Sequence, residues 1–400
     1  MAIHSLSKAA WAMRQHLHIR HLKSIAMLAA LLAAAPLIGA APASAPASVP
    51  AALGWSTPAQ HLAHMTLQQR VGQLFMAAAG ATGAGTATMN VLHWDHVGNV
   101  YLAGRSSAGI NATAAVVRQM TNTVSAATTD NEYLSVATDQ EGGYVQVLSG
   151  PGFSTIPTGL SQGTQTAATL TANAKNWGNQ LRWAGIKVDL APVLDTVTQA
   201  FAPYNAPIGY YQREYGYTPA AVSAKGNAFL AGIKAGYVMP TAKHFPGLGR
   251  VTGNTDVTSN VHDTQTTIND PNLLPFRTAI DNGARWVMVS SAYYDRIDAR
   301  PGKLGAFSNV VMGTMLRSNA HFTGIIISDD LCNAAQLSQW SWAVRAENFV
   351  NAGGTMVLCG NANAIPYMYN GILQLAQQRP DFLAKVNAAV LTILTVKHGQ

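Results

Sequence analysis

The chain has 400 residues, 48% of them apolar and only 11% charged, which supplies a large core and excludes a disordered polyelectrolyte. Its formal net charge is +7, but Lys8, Arg14, Arg20 and Lys23 lie within the first 45 residues with no acid among them, so the remainder carries +3. That small excess, with no basic stripe interleaved with aromatics, argues against nucleic acid as a partner.

The N-terminus reads as an export signal over residues 1–45. A basic segment ends at Lys23, an apolar run follows from Ile25 to Ala41, and small residues close it, with Ala43-Ser44-Ala45 as the expected cleavage site. The alternative is an uncleaved anchor, since a run of about 17 residues lies at the lower limit for spanning a bilayer. Cleavage would leave a secreted or cell-envelope protein with no stable membrane association. Residues 46–65 are expected to form a linker and N-terminal segment, rich at first in Ala, Pro and Ser.

From Thr66 to residue 400 short apolar runs alternate with helical stretches. Eight strands are predicted: Val71–Ala77, Val97–Leu102, Leu134–Thr138, Lys187–Ala191, Val238–Ala242, Trp286–Ser290, Gly324–Ser328 and Thr355–Cys359. Between them, Ala167–Ala184, Ala220–Ala235, Asn272–Asn282 and Ala343–Ala352 read as helices stopped by Gly185, Gly236, Gly283 and Gly353. Strands alternating with helices imply a parallel sheet in the α/β class, and eight of them fit one closed (β/α)8 barrel. The rival, a doubly wound sheet binding a dinucleotide, lacks the glycine-rich phosphate fingerprint after an early strand.

Active sites of such barrels lie at the C-terminal ends of the strands. Polar residues cluster there: Asp139-Gln140-Glu141 after the third strand, Asp195 after the fourth, Lys243-His244 after the fifth, Ser290-Ser291 at the sixth and Ser328-Asp329-Asp330 at the seventh. Successive strand residues face opposite ways, so one of Asp329 and Asp330 is expected to face the pocket and the other to cap the next helix. Lys243 and His244 suit sugar hydroxyls or a carboxylate, although a strand-end lysine also serves Schiff-base chemistry. The Gly- and Pro-rich continuation through Gly253 reads as a mobile loop. Arg213 offers bidentate recognition from the loop after the fourth strand. Cys332 and Cys359 fall at neighbouring strand ends, which leaves a disulfide and two buried thiols both open. No spacing of the H-E-x-x-H or paired C-x-x-C kind appears, so neither a metal nor a cofactor is expected.

Five stretches resemble glycoside hydrolase family 3, and in particular its single-domain β-N-acetylhexosaminidases. They are Asp139-Gln140-Glu141-Gly142-Gly143, Ala191-Pro192-Val193-Leu194-Asp195, Ala242-Lys243-His244-Phe245-Pro246-Gly247, Leu273-Leu274-Pro275-Phe276 and Ile327-Ser328-Asp329-Asp330-Leu331, in the family's order. The resemblance implies a secreted, retaining exo-β-glycosidase, a β-N-acetylglucosaminidase acting as a monomer on cell-wall, peptidoglycan or chitin-type saccharides. It implies Asp329 as nucleophile, and Asp139, Arg213, Lys243 and His244 as residues that hold the sugar. The family's Asp-Ser-His on the mobile loop is here Asn254-Thr255-Asp256, which leaves Asp256 as the acid/base candidate. Tyr144 stands where the family usually has Arg, and Ser291 where a His is common. These departures keep a second reading open, a catalytically weak sugar-binding barrel of the cell envelope.

Overall fold

The computed structural model describes residues 57–399, so the expected export signal and most of the expected linker lie outside the described residues. Two short helices lead into the barrel. Thr57 caps α1 (Pro58–His64), and Thr66 and Gln69 form a reciprocal capping box on α2 (Leu67–Gln73). The strands are β1 (Phe75–Gly80), β2 (Asn99–Ala103), β3 (Ser135–Thr138), β4 (Val188–Asp189), β5 (Met239–Phe245), β6 (Trp286–Val289), β7 (Ile325–Ser328) and β8 (Val357–Cys359). They pair in parallel in the order β7-β6-β5-β4-β3-β2-β1-β8. A parallel bridge between Ile327 and Met356 joins β7 to the approach of β8 and closes the (β/α)8 barrel.

Helices α3 (Thr86–Trp94), α4 (Gly109–Thr121), α5 (Ala167–Trp183), α6 (Pro219–Ala235) and α7 (Leu274–Asp281) connect the first six strands, and the helical segment Val310–Asn319 leads to β7. They are followed by α8 (Trp342–Asn351), α9 (Ile365–Gln378) and the C-terminal α10 (Pro380–His398). Strand residues such as Val100, Val136, Val188, Val287 and Ile326 are fully buried, as expected where a parallel sheet is covered by its own helices. Among the described residues no helix is long and apolar enough to cross a membrane.

One local expectation is corrected. The first strand starts at Phe75 rather than Val71, because the capping box commits Leu67–Gln73 to helix and the apolar run Val71–Ala77 straddles both elements. Periodicity cannot divide so short a run. All four glycine stops hold, the helices ending at Trp183, Ala235, Asp281 and Asn351, and Gly185, Gly283 and Gly353 adopt positive φ of 84°, 78° and 104°. Gly236 does not; Tyr237 takes the positive φ of 61° instead. Gly236 serves close approach, since a Cβ there would lie 2.8 Å from the backbone of Gly178 on α5.

Cys332 and Cys359 are bonded to each other across the β7–β8 seam, with 5.1 Å between their Cα atoms. The bridge spans the same seam that carries Asp329 and Asp330.

Candidate active site at the barrel mouth

The mouth is organised by a buried ion network. Lys243, near the end of β5, places Nζ 2.7 Å from Asp139 Oδ1 and 2.6 Å from Glu141 Oε1. Arg213 reaches the same glutamate through Nε at 2.9 Å and Nη2 at 2.7 Å, and its Nη1 donates to the Pro207 carbonyl. Burial opposes the charge on Glu141, but Arg213 and Lys243 outweigh it and hold its carboxyl at about 2. Burial works against the Lys243 ammonium as well, and Asp139 and Glu141 overcome it, raising Lys243 above its ordinary range. Two carboxylates in direct contact thus hold the ammonium as an ion pair.

His244 is oriented from below. Its Nδ1 lies 2.7 Å from Oδ2 of the fully buried Asp195, which also accepts the Leu248 N–H at 2.6 Å. With the carboxylate as acceptor, Nδ1 carries the hydrogen. Asp189 on β4 is equally buried and accepts the Gln140 N–H at 3.0 Å. Burial raises its carboxyl well above the ordinary range, against the opposing pull of the Gln140 N–H and Lys243.

The two aspartates after β7 divide their work. Asp330 Oδ1 accepts the N–H groups of Cys332 at 2.8 Å and Gly360 at 2.9 Å, and its Oδ2 takes the Asn333 amide at 3.0 Å. It therefore caps the loop and ties it to the end of β8. The Asp329 carboxylate accepts only the following Asp330 N–H, at 2.9 Å, and no side chain among the described residues neutralises it.

Asp256 sits on the loop after β5, expected to be mobile, which is seated here against the loop after β7. The Thr255 and Asp256 carbonyls each accept an N–H, from Gln336 and Ala335, at 3.1 Å. Gln336 also holds Val261 in both directions, at 2.9 and 3.2 Å. Asn254, the residue that departs from the family pattern, turns the loop by accepting the Asp256 N–H at 3.0 Å. Asp256 keeps one side open to solvent while the crowded mouth desolvates the other. That loss of water, with repulsion from Asp329 and Asp330, pushes its carboxyl up to about 7 against the opposing pull of Arg213 and His244. Tyr101 on β2 lies in the same field. Burial and the charges of Asp330, Asp139, Asp329 and Asp256 push its hydroxyl well above its usual range.

All six candidates, Asp139, Arg213, Lys243, His244, Asp256 and Asp329, thus lie at one mouth. Glu141 and Asp195 were legible only as members of the strand-end cluster, with no role of their own, and Tyr101 was not legible at all. Glu141 was legible only as an acid two residues from Asp139 in a loop, and its two cationic partners come from elements 72 and 102 residues away by number.

A carboxyl driven toward its protonated form close to a second carboxylate is the arrangement on which barrel glycoside hydrolases depend. The chain matches the glycosyl hydrolase family 3 N terminal domain over residues 66–396, and it belongs to that family. It is 46% identical to a β-N-acetylhexosaminidase structure from Beutenbergia cavernae, with a TM-score of 0.82 over 84% of this chain and 99% of that one. A family 3 β-N-acetylglucosaminidase from Paenibacillus is 25% identical, with a TM-score of 0.74 over 84% of this chain and 63% of the other. A β-hexosaminidase of Nitrosomonas eutropha is 29% identical over 73% of this chain and 81% of its own length. The chain is a glycoside hydrolase of the β-hexosaminidase type, and its substrates are saccharides.

Proposed function

We propose that the chain is an exported, retaining exo-β-N-acetylglucosaminidase that trims cell-wall or chitin-type saccharides as a monomer. Asp329 is the nucleophile and Asp256 the acid, then the base. The observation that supports these roles is the docking of Thr255 and Asp256 onto Ala335 and Gln336, with Asp256 near enough to Asp329 for that charge to raise its carboxyl. Export rests on the basic and apolar segments before residue 46.

In this mechanism Asp139, Lys243, Arg213 and His244 hold the hydroxyls of the terminal sugar, with Glu141 and Asp195 fixing the cations and the imidazole. Asp256 enters protonated and gives its proton to the leaving glycosidic oxygen while Asp329 forms a bond to the anomeric carbon. Asp256, now a carboxylate, takes a proton from water as that water displaces Asp329, which restores both groups. A carboxylic acid in place of the family's Asp–His pair suffices for this cycle, because its pKa is raised by its surroundings.

The test is release of 4-nitrophenol from the β-N-acetylglucosaminide and the β-glucoside by the purified parent and Asp329→Asn. Faster turnover of the N-acetylglucosaminide, abolished by Asp329→Asn, supports the reading. Binding of N-acetylglucosamine without turnover of either substrate would replace it with a sugar-binding barrel.

A further inference from the structure

At the opposite end of the barrel, beneath the N-terminal ends of β1–β3, three residues remote in sequence converge. His61 comes from α1, Glu132 from the approach to β3, and His398 from the last turn of α10. One ligand atom from each lies within 4.8 Å of the other two. Glu132 Oε2 is 3.3 Å from His61 Nδ1 and 2.8 Å from His398 Nε2. The two imidazoles stack with centroids 5.6 Å apart. We propose that His61, Glu132 and His398 form a divalent-metal site of the zinc class, which clamps the first and last helices of the fold to the base of the barrel.

Three observations carry this beyond mere proximity. The donor set is two imidazoles and a carboxylate, and zinc with bonds of 2.0–2.2 Å sets tetrahedral ligand atoms about 3.3 Å apart, close to the spacings found here. Glu132 is buried, and its Oε1 has no hydrogen-bond partner among the described residues, so the carboxylate has capacity its neighbours do not use. The far side of His61 is also arranged for ligation. Its Nε2 faces Asp130, 3.2 Å from the carbonyl and 3.4 Å from Oδ2. An acceptor there sets Nε2 as the donor and turns Nδ1 toward Glu132, the usual outer-sphere support of a ligating histidine.

The local charge is compatible. Asp130 and Glu132 bring two negative charges, and the nearby ammonium of Lys397 is spent on Gln73 Oε1, the Gly98 carbonyl and the Tyr133 carbonyl, each at 2.9–3.0 Å. Lys397 therefore reduces the negative potential without occupying the ligand side of Glu132. His64 holds Asp130 from outside, at 2.7 Å. A water completes four-coordination. Because barrel chemistry sits at the other end of the strands, the role assigned to this site is structural. Motif spacing could not reveal it, since the ligands are 71 and 266 residues apart.

The test uses untagged protein stripped with chelator, reloaded with zinc alone, dialysed and measured for bound metal and thermal stability. His398→Gln is the informative variant: its amide can still donate to Glu132 but is a poor zinc ligand. The parent is expected to retain one zinc per chain, with Tm raised by roughly 3–6 °C at about hundredfold excess over Kd. His398→Gln and His61→Ala are expected to retain none and to show no zinc-dependent rise, while His398→Gln keeps a metal-free Tm close to the parent's. Parent protein that retains no zinc, or a His398→Gln variant that retains as much as the parent, overturns the proposal. The second outcome would place the metal elsewhere, at the carboxylate-rich mouth.

Discussion

Replacing Glu141 by Gln should strike the mouth harder than any other single neutral substitution there. The change keeps the shape of the side chain and removes one charge that Lys243 and Arg213 share at 2.6–2.9 Å in a buried setting. Two cations are left, with Asp139, which is a quarter exposed, as the one remaining carboxylate in direct contact. Breaking a buried pair by removing one partner costs about 3–5 kcal/mol. The carboxyl itself gives a consistent figure: held at about 2 against an ordinary 4.5, it corresponds to about 3 kcal/mol of native-state stabilisation. With an unfolding entropy of about 2.1 cal/mol/K per residue over roughly 340 ordered residues, that loss lowers Tm by about 4–7 °C. Calorimetry of both proteins at pH 7 measures it. The sign with pH is fixed too. A depressed carboxyl stabilises fully above its unfolded value of 4.5, and the contribution fades as pH falls toward about 2, so the gap between parent and Glu141→Gln should narrow in acid. A variant within about 1 °C of the parent at pH 7 would refute the network as a source of stability.

The raised carboxyl of Asp256 predicts that kcat/KM falls as pH rises through about 7, because the acid must be protonated to act. Asp256→Asn should lose that alkaline limb and about 10²–10⁴ in rate on poor leaving groups, with a much smaller loss on a dinitrophenyl glycoside; an unchanged pH profile would remove Asp256 from the acid role. Cys332 and Cys359 close a loop over a separation of 27 residues, for which the chain-entropy estimate is about 3.5 kcal/mol. Cys359→Ser, or reduction of the parent, should therefore lower Tm by about 5 °C, and a Tm insensitive to both would show that the bridge is dispensable.

Much of the architecture was legible because parallel strands buried on both faces leave continuous apolar runs and their helices end at glycine. Three of the four stops behave as left-handed caps, whereas Gly236 answers a tertiary demand, the backbone of Gly178, that no local pattern records. The start of β1 was misplaced because Val71–Ala77 is apolar across an element boundary, although Thr66 and Gln69 held the capping-box signal that resolves it. The strand-end rule found Asp139, Lys243, His244 and Asp329 because barrel geometry converts sequence position into location. It could not find the role of Glu141, whose meaning lies in Arg213 and Lys243, nor separate Asp329 from Asp330 until the bonds of Asp330 to Cys332 and Gly360 were visible. Pairing of the cysteines stayed open for the same reason, since it depends on closure of the β7–β8 seam.

Asp329, as the group that attacks the sugar, is the residue on which the whole reaction turns. The direct measurement is to react the parent with a 5-fluoro N-acetylglucosaminyl fluoride, which slows turnover of the intermediate, and to map the adduct by peptide mass spectrometry. One sugar on the peptide carrying Asp329, absent from Asp329→Asn, is the result expected. Turnover with no adduct, or an adduct on another residue, would contradict it.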